Sequence, residues 1–373
     1  MCIRDRNNQM KIYKFITQIS IAGCMLVGTP MLQGCMDNSL NDPLGKVSEE
    51  ELGRDGFAAN AFFLTLCDYA YPIATENIYN TNESLIGDCY GRYQVMATDK
   101  FKGANFATYN APENWLNWQF ADDNVMVLTY GAWNKIKNVT QGTGVNFAWA
   151  QILRIATMHR MLDMYGALPY SQISSDKLSA PYDTMEEAYH AMFTDLTDAI
   201  NVMTVYVTEN PNNRTMAKYD KVYDGDFEKW VKFANSLKLR MAIRIRFADR
   251  EYARQMAEEA INHSIGVITS NEDNATSLGT KNQLYTVLVQ WPDQCVSADI
   301  TSYMKGYNDP RMSKYFKKKT SDKGDDDYVG MRAGLSYGND ITGPTFSRIN
   351  VGEMDRTLWM SAAETAFNKA EAA

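Results

Sequence analysis

The stretch Asp226–Ile245 reads DFEKWVKFANSLKLRMAIRI and carries the clearest helical pattern in the chain. Its apolar residues recur at steps of three and four, which places them along one face of an α-helix. An aspartate just before the first apolar residue is a favourable helix N-cap. The stretch therefore predicts an amphipathic helix that opens at Asp226. Its buried face is expected to hold Phe227, Trp230, Val231, Ala234, Leu237, Met241, Ala242 and Ile245.

Three neighbouring segments carry the same period. One ends at Tyr165, where Gly166 is expected to stop the helix. A second begins at Asp183 or Thr184, because Thr184 and Glu187 have the spacing of a capping box. A third follows Asp226–Ile245 directly. The inward face of the first segment is expected to hold Ile152, Ile155, Ala156, His159 and Leu162. That of the second is expected to hold Ala188, Met192, Leu196, Ala199, Ile200 and Met203. That of the third is expected to hold Ala253, Met256, Ala257, Ala260 and Ile261.

Consecutive helices of this length, with alanines where they cross, predict a mainly α fold of stacked antiparallel helical hairpins. The pattern is similar to a tetratricopeptide-like superhelix, although the strict 34-residue consensus is missing. Residues 72–123 and 270–352 are rich in Asn, Asp, Gly, Tyr and Trp without a sustained period. We expect long irregular loops and short hairpins there, which is where binding surfaces usually lie.

Composition limits the possible functions. The chain has 373 residues, of which 45% are hydrophobic, so it can bury a sizeable core in one large or two ordinary domains. A net charge of −8 and a pI near 5.1 oppose nucleic-acid binding, which requires a basic face. We therefore expect no nucleic-acid partner.

Cysteine and histidine usage gives no sign of a metal site. Once the N-terminal leader discussed below is removed, the cysteines that remain in addition to the lipidation cysteine are Cys67, Cys89 and Cys295. Their spacing matches neither a CxxC motif nor a zinc site. At most one disulfide can form among these three, and the sequence leaves open whether two of them pair. The three histidines lack HExxH spacing. No metal and no cofactor are predicted.

The N-terminus has the outline of an export signal. Residues 10–34 open with a short basic stretch, MKIYK (10–14), and carry no charge from Phe15 to Leu32. The apolar centre, Ile19–Val27, is shorter than the roughly 20 residues that a membrane-spanning helix needs. Residues 1–9 fit neither a signal peptide nor a fold, and we expect them to be a non-native extension.

The uncharged run ends in Leu32-Gln33-Gly34-Cys35, which resembles the lipobox of bacterial lipoproteins. The resemblance implies cleavage before Cys35 and lipid attachment to that cysteine. Two or three acyl chains, at about 0.8 kcal/mol per buried CH₂, would anchor the protein permanently. We expect residues 35–50 to form a lipidated tether and residues 51–373 to form one helical domain.

Several strings resemble the SusD/RagB family of surface glycan-binding lipoproteins of Bacteroidetes. They occur in the family's order and together span roughly residues 38–373. The strings are MYGALPYS (164–171), YDTMEEAY (182–189), WVKFANSLKLR (230–240), NDPR (308–311) and AAETAFNKAEAA (362–373). Members of the family usually continue beyond the last string, so we expect this chain to be incomplete at its C-terminus.

The resemblance implies a mostly helical protein that caps a SusC-like TonB-dependent transporter. Its ligand is expected to be a glycan, which the transporter imports. The sequence leaves open which glycan this is, or whether the ligand is a peptide. Lipid on Cys35 would hold the protein on the outer membrane, facing the cell exterior. The motif strings themselves are assigned to turns and caps without a ligand role.

Sugars present flat C–H faces edged by hydroxyls, so a glycan site needs exposed aromatic rings beside polar side chains. Two segments have that composition, Tyr109–Gln119 (YNAPENWLNWQ) and Gln290–Gln294 (QWPDQ). The alternative is that their tryptophans pack between helices or loops, because most tryptophan is largely buried. The candidate glycan-binding residues are Tyr109, Asn114, Trp115, Asn117, Trp118, Trp291 and Asp293.

Two motifs resemble a catalytic or a calcium-binding motif, but the sequence around them does not fit either function. Residues 334–338 (GLSYG) match a nucleophile elbow, yet neither a strand before nor a helix after Ser336 is indicated. Asp322 and the aspartates 325–327 lack the spacing of an EF-hand loop. We therefore predict no catalytic residue and no enzyme. A glycoside hydrolase and a helical adaptor without sugar binding are the competing hypotheses.

Overall fold

A computed structural model describes residues 57–71, 73–98, 106–111, 113–117, 125–173, 179–277, 279–319, 327–334 and 345–373. These residues belong to one compact unit, Gly56–Ala373. The expected extension, signal peptide, lipidated Cys35 and tether lie outside the described residues.

Helices account for most of the described chain. In chain order they are α1 (Phe57–Ala70), α2 (Glu76–Tyr79), α3 (Glu113–Asn117), α4 (Val125–Thr140), α5 (Gly144–Tyr165), α6 (Met185–Glu209), α7 (Phe227–Ile245), α8 (Arg250–Ile261), α9 (Gln283–Tyr285), α10 (Ala298–Gly306), α11 (Met312–Tyr315) and α12 (Ala362–Ala372). A π-helical segment, Asn80–Asp88, follows α2, and a second one, Thr286–Gln290, follows α9. Within the described ranges, no helix is long and apolar enough to cross a membrane.

The long helices pack in sequence order. Helices α4 to α8 each contact the next, α1 lies against α4 and α5, and α12 lies against α7. Only three residues separate α4 from α5, and four separate α7 from α8, which is typical of antiparallel neighbours. The predicted fold class, stacked helical hairpins with long irregular loops, is confirmed.

The ends of the helices follow the sequence signals. The Thr184 hydroxyl accepts from the Glu187 amide at 3.2 Å, and a Glu187 carboxylate oxygen accepts from the Thr184 amide at 2.8 Å. Asp226 caps α7 by accepting from the Lys229 amide at 3.1 Å. Gly166 ends α5 with a φ of 78°, in the left-handed region that glycine favours. These three expectations are confirmed.

Stacked aromatic rings fill the main core. The Trp149 ring lies 4.2 Å from that of Phe63, nearly parallel to it, and 5.6 Å from that of Trp230. The indole N–H of Trp230 donates to Asp220 at 2.7 Å. Burial raises the pKa of the Asp220 carboxyl, although the hydrogen bonds from Trp230 and from backbone amides oppose that shift. The core therefore contains one buried carboxyl group with several donors around it.

Short antiparallel strand pairs join distant parts of the chain. Strand β1 (Gln94–Met96) pairs with β3 (Gln294–Val296), with Val95 opposite Cys295. The remaining strands are β2 (Ala275–Ser277), β4 (Phe316–Lys317), β5 (Arg348–Ile349) and β6 (Thr357–Met360), and they pair as β2 with β6 and β4 with β5. Each pair joins segments at least 30 residues apart, so contacts that are remote in sequence fix the loops on the helical stack.

All three cysteines of the folded region are buried as free thiols, namely Cys67, Cys89 and Cys295. Burial raises the pKa of the Cys295 thiol to about 12, so this thiol is protonated at neutral pH. The fold therefore depends on packing and hydrogen bonds.

Candidate functional site

The β1 and β3 pair brings the two predicted glycan-binding segments together. Beside this pair lies a second apolar cluster that includes Val95, Phe106 and Cys295. The Trp115 ring packs at its edge, 5.8 Å from the Phe106 ring. Just before β3, the Asp293 carbonyl accepts from the Ala97 amide at 3.0 Å. The two predicted segments, about 180 residues apart in sequence, are therefore both held by the β1 and β3 pair.

The predicted residues differ in exposure. Tyr109 is 63% exposed, Trp291 is 37% exposed, and Asn117 is exposed on α3. Asp293 is only 2% exposed, so its side chain is buried. Trp115 is partly buried, as the packing alternative expects. Asn114 lies on α3, but its side chain, like the whole of Trp118, falls outside the described residues.

Tyr109 belongs to a group that includes two residues the sequence did not single out. Its ring lies 5.1 Å from that of Tyr90, and the Arg92 guanidinium lies 5.6 Å from the centre of the Tyr109 ring. Arg92 and Tyr109 both adopt left-handed backbone conformations, with φ of 60° and 59°. Bulky residues rarely adopt this conformation, because it costs free energy. Such strain is common where function fixes a side chain.

Helix α10 extends this group. An Arg92 nitrogen lies 3.9 Å from an Asp299 carboxylate oxygen, and the Ser297 amide donates to the Tyr93 carbonyl at 3.0 Å. Tyr303 and Tyr307 are 69% and 73% exposed, and their rings lie 5.0 Å apart. Asp299 and Tyr303, four residues apart, lie on one face of α10, and Tyr307 is the residue that caps its C-terminus.

We use the term tyrosine platform for this surface, formed by Tyr90, Arg92, Tyr109, Asp299, Tyr303 and Tyr307. It offers flat apolar rings beside a guanidinium donor and a carboxylate acceptor, which together suit the C–H faces and hydroxyls of a saccharide. The α10 part has a local sequence signal, the YMKGY spacing of residues 303–307. Its approach to Tyr109 depends on the pairing of β1 with β3, which no local pattern reveals.

The two motifs set aside in the sequence lie mostly outside the described residues. Ser336, Asp322, Asp325 and Asp326 lie outside the described residues. Asp327 pairs with the Lys305 ammonium at 2.7 Å, which lowers the pKa of its carboxyl. Over the described ranges, no group of three His, Cys, Asp or Glu residues is placed to hold a metal ion.

With the fold and platform established, comparison with known proteins identifies the family. A family model described as SusD-like, for SusD and RagB outer membrane lipoproteins, matches residues 39–373. The chain belongs to the SusD-like family. The resemblance seen in the motif strings is therefore confirmed, and the family is one of outer membrane lipoproteins.

Solved SusD homologues share this SusD-like fold. One from Bacteroides uniformis is 37% identical, with a TM-score of 0.77 over 85% of this chain and 66% of its own. One from Bacteroides thetaiotaomicron is 32% identical, with a TM-score of 0.75 over 84% of this chain and 63% of its own. A chitin-binding homologue from Flavobacterium johnsoniae is also 32% identical, with a TM-score of 0.73 over 84% of this chain and 65% of its own. The SusD-like chain thus spans slightly less than two thirds of these structures. No curated protein matches it.

Several SusD-like motif residues hold the scaffold together. Within MYGALPYS, the Tyr165 hydroxyl donates to the Leu116 carbonyl of α3 at 2.9 Å, which ties this helix to the stack. Arg240, from the third string, donates to both carboxylate oxygens of Glu364, in the last one, at 2.6 and 2.8 Å. Bidentate pairs of this kind fix geometry well. These contacts agree with the structural role expected for the strings.

Proposed function

We propose that this SusD-like protein captures oligosaccharide on the tyrosine platform and delivers it to a SusC-like TonB-dependent transporter. Lipid on Cys35 would hold it on the outer membrane, facing the exterior. The observation that carries the proposal is the row of exposed rings from Tyr109 to Tyr307, interrupted by the contact between Arg92 and Asp299. A platform of this make-up has no evident structural use, because buried core rings are what stabilise a fold.

The chemistry of the platform favours a neutral, hydroxyl-rich ligand. The C–H faces of the sugar rings stack on the tyrosines and contribute apolar contact area. Arg92 donates hydrogen bonds to sugar hydroxyl oxygens, and Asp299 accepts hydrogen bonds from sugar hydroxyl groups. Because the surface is open and wet, affinity should be modest. The chitin-binding relative makes chito-oligosaccharides the first probes to use. Trp118 and Trp291 remain candidates for additional stacking.

The test uses a soluble form that lacks residues 1–35. Calorimetry measures its affinity for hexasaccharides of the chitin, cellulose, xylan, mannan and starch types. Substituting Tyr109→Ala should lower affinity for the bound hexasaccharide by about ten-fold, because one stacking ring contributes on the order of 1 kcal/mol or more. Tyr182→Ala is the matched control, since Tyr182 is 60% exposed and lies after the loop that follows α5.

Unchanged affinity in Tyr109→Ala, or an equal loss in Tyr182→Ala, would refute the platform as the binding surface. Binding of none of the five hexasaccharides would contradict this version of the proposal. Prolonged incubation of each probe should yield no shortened product, because we propose no catalysis. Any product would favour the hydrolase hypothesis.

Anchoring and delivery need separate tests in cells. A Cys35→Ser chain should fail to take up a labelled fatty acid and should leave the membrane fraction. The native chain should co-purify with a TonB-dependent transporter from its host. An unlabelled native chain, or a native chain that purifies without a transporter, would contradict these two steps.

A further inference from the structure

A cavity of about 550 Å³ is lined in part by residues that directly follow members of the tyrosine platform in the chain. Tyr93, which follows Arg92, and Ile300, which follows Asp299, both line it. Tyr315 and Phe316, at the junction of α11 and β4, form another part of the wall. Its volume lies within the roughly 300–1,000 Å³ of typical small-ligand pockets. The cavity is therefore a natural continuation of the platform for a ligand that lies across it.

Asp88 is the distinctive polar group of this cavity. It ends the π-helical segment and lies half-buried, with one carboxylate oxygen accepting from the Gln94 side-chain amide at 2.9 Å. Among the described residues, no donor contacts its other oxygen. Burial raises the pKa of the Asp88 carboxyl to about 7. A ligand hydroxyl that donates to this oxygen would replace the water that the carboxylate loses on burial.

Three further charged groups of the wall, those of Arg356, Asp355 and Glu83, have partners within the protein. Arg356 donates to Thr276 and to the carbonyl of Lys221, at 2.9 and 2.8 Å. Asp355 accepts from the Gly352 amide at 2.7 Å, and Glu83 forms an ion pair with Arg160. The remaining wall is largely aromatic and aliphatic, and it also includes Lys314, Asn282 and Asn350. Aromatic and aliphatic groups beside amide and ammonium donors suit a ring that carries hydroxyl groups.

We propose that this cavity binds the terminal sugar ring of an oligosaccharide whose adjoining rings lie on the tyrosine platform. Asp88 accepts hydrogen bonds from hydroxyls of that ring, and Tyr93 and Tyr315 contact its C–H faces. The proposal rests on the proposed function and adds that the protein recognises a chain end. The exposed portions of Tyr93 and Tyr315, 55% and 46%, leave their rings accessible to such a ligand.

The test compares single sugars with their hexasaccharides. Calorimetry at pH 8 measures binding of N-acetylglucosamine, glucose, xylose, mannose and galactose to the form lacking residues 1–35. At least one monosaccharide should bind, and Asp88→Asn should weaken it by about ten-fold, because a hydrogen bond to a charged group contributes about 1.5–3 kcal/mol. Asp198→Asn, at an exposed position on α6, is the matched control. Tyr315→Ala provides a second variant that keeps the buried carboxyl and should also weaken binding.

Binding should also depend on pH through Asp88. Because only the carboxylate accepts two hydroxyl protons, affinity should rise between about pH 6 and pH 8 as the group ionises. In Asp88→Asn this rise should vanish. The other titratable or charged groups beside the carboxyl or around the cavity are Tyr71, Tyr79, Glu83, Cys89, Tyr93, Lys314, Tyr315, Asp355 and Arg356.

Two results separate this inference from the proposed function. Hexasaccharide binding that is sensitive to Tyr109→Ala but unaffected by Asp88→Asn would overturn the cavity and leave the platform intact. Monosaccharide binding that is sensitive to Asp88→Asn and unaffected by Tyr109→Ala would support the cavity independently. Failure of every monosaccharide to bind would overturn the inference whatever the platform does.

Discussion

At the scale of single residues, His159 shows how burial fixes a protonation state. It lies inside α5, 2% exposed, and its Nδ1 donates to the Ile155 carbonyl at 2.9 Å. Burial, with help from the nearby Arg240 charge, lowers the pKa of His159 to about 4. The imidazole therefore stays neutral at neutral pH, in agreement with the expectation that it lies on an inward face.

The lowered pKa of His159 predicts acid sensitivity. Between about pH 6.5 and pH 4 the unfolded chain binds a proton that the folded chain excludes. The free energy of unfolding should therefore fall as pH falls through this window, by up to about 3 kcal/mol from this group. Urea unfolding at several pH values measures the slope. His159→Gln should reduce this slope. An equal slope in the native protein and in His159→Gln would contradict this account.

Arg92 illustrates a conflict between stability and function. Its left-handed backbone costs about 1 kcal/mol or more relative to glycine. Its ion pair with the exposed Asp299 contributes little stabilising free energy. Arg92→Gly should therefore raise the free energy of unfolding by up to about 1 kcal/mol while it weakens oligosaccharide binding. Unfolding and calorimetry measure the two effects.

The matched control for this prediction is Gln141→Gly, which has a φ of 54° in the turn between α4 and α5. It should give a similar gain in stability without a change in binding. If Arg92→Gly binds as well as the native protein, the platform does not need this guanidinium.

At the scale of elements, the caps determine where the long helices begin. Thr184→Ala removes one half of the capping box of α6 and should lower the free energy of unfolding by about 1 kcal/mol. Thr143 is also an N-cap, of α5, but its hydroxyl donates to the Thr140 carbonyl and does not cap the helix. Thr143→Ala should therefore cost less. Equal losses in both variants, measured by urea unfolding, would show that the capping box contributes nothing specific.

The sequence predicted these helices well because their signals are local. Period, capping box and terminal glycine all lie within a few residues of the element that they define, as at Thr184 and Gly166. The platform was only partly predictable. Tyr109 stood out by composition, whereas the approach of Tyr303 and Tyr307 to it required the pairing of β1 with β3. Asp293 looked like a surface ligand, yet the same pairing buries it.

At the scale of the whole molecule, the helical stack provides the rigid support and the strand pairs fix the loops on it. Ties such as Tyr165 to Leu116 and Arg240 to Glu364 connect distant segments of the chain. The platform and the cavity beside Asp88 lie on structure built from the loop-rich regions. Because the helical stack and the binding loops are separate parts of the fold, the loops can change their ligand specificity while the stack keeps its structure.

The most direct test of the central claim is a crystal structure of the soluble form with its best-binding hexasaccharide. The account predicts sugar rings stacked on Tyr109 and on Tyr303 or Tyr307, with hydroxyls within hydrogen-bond distance of Arg92 and Asp299. A hexasaccharide bound only on the outer face of helices α5 to α8, away from these tyrosines, would contradict it.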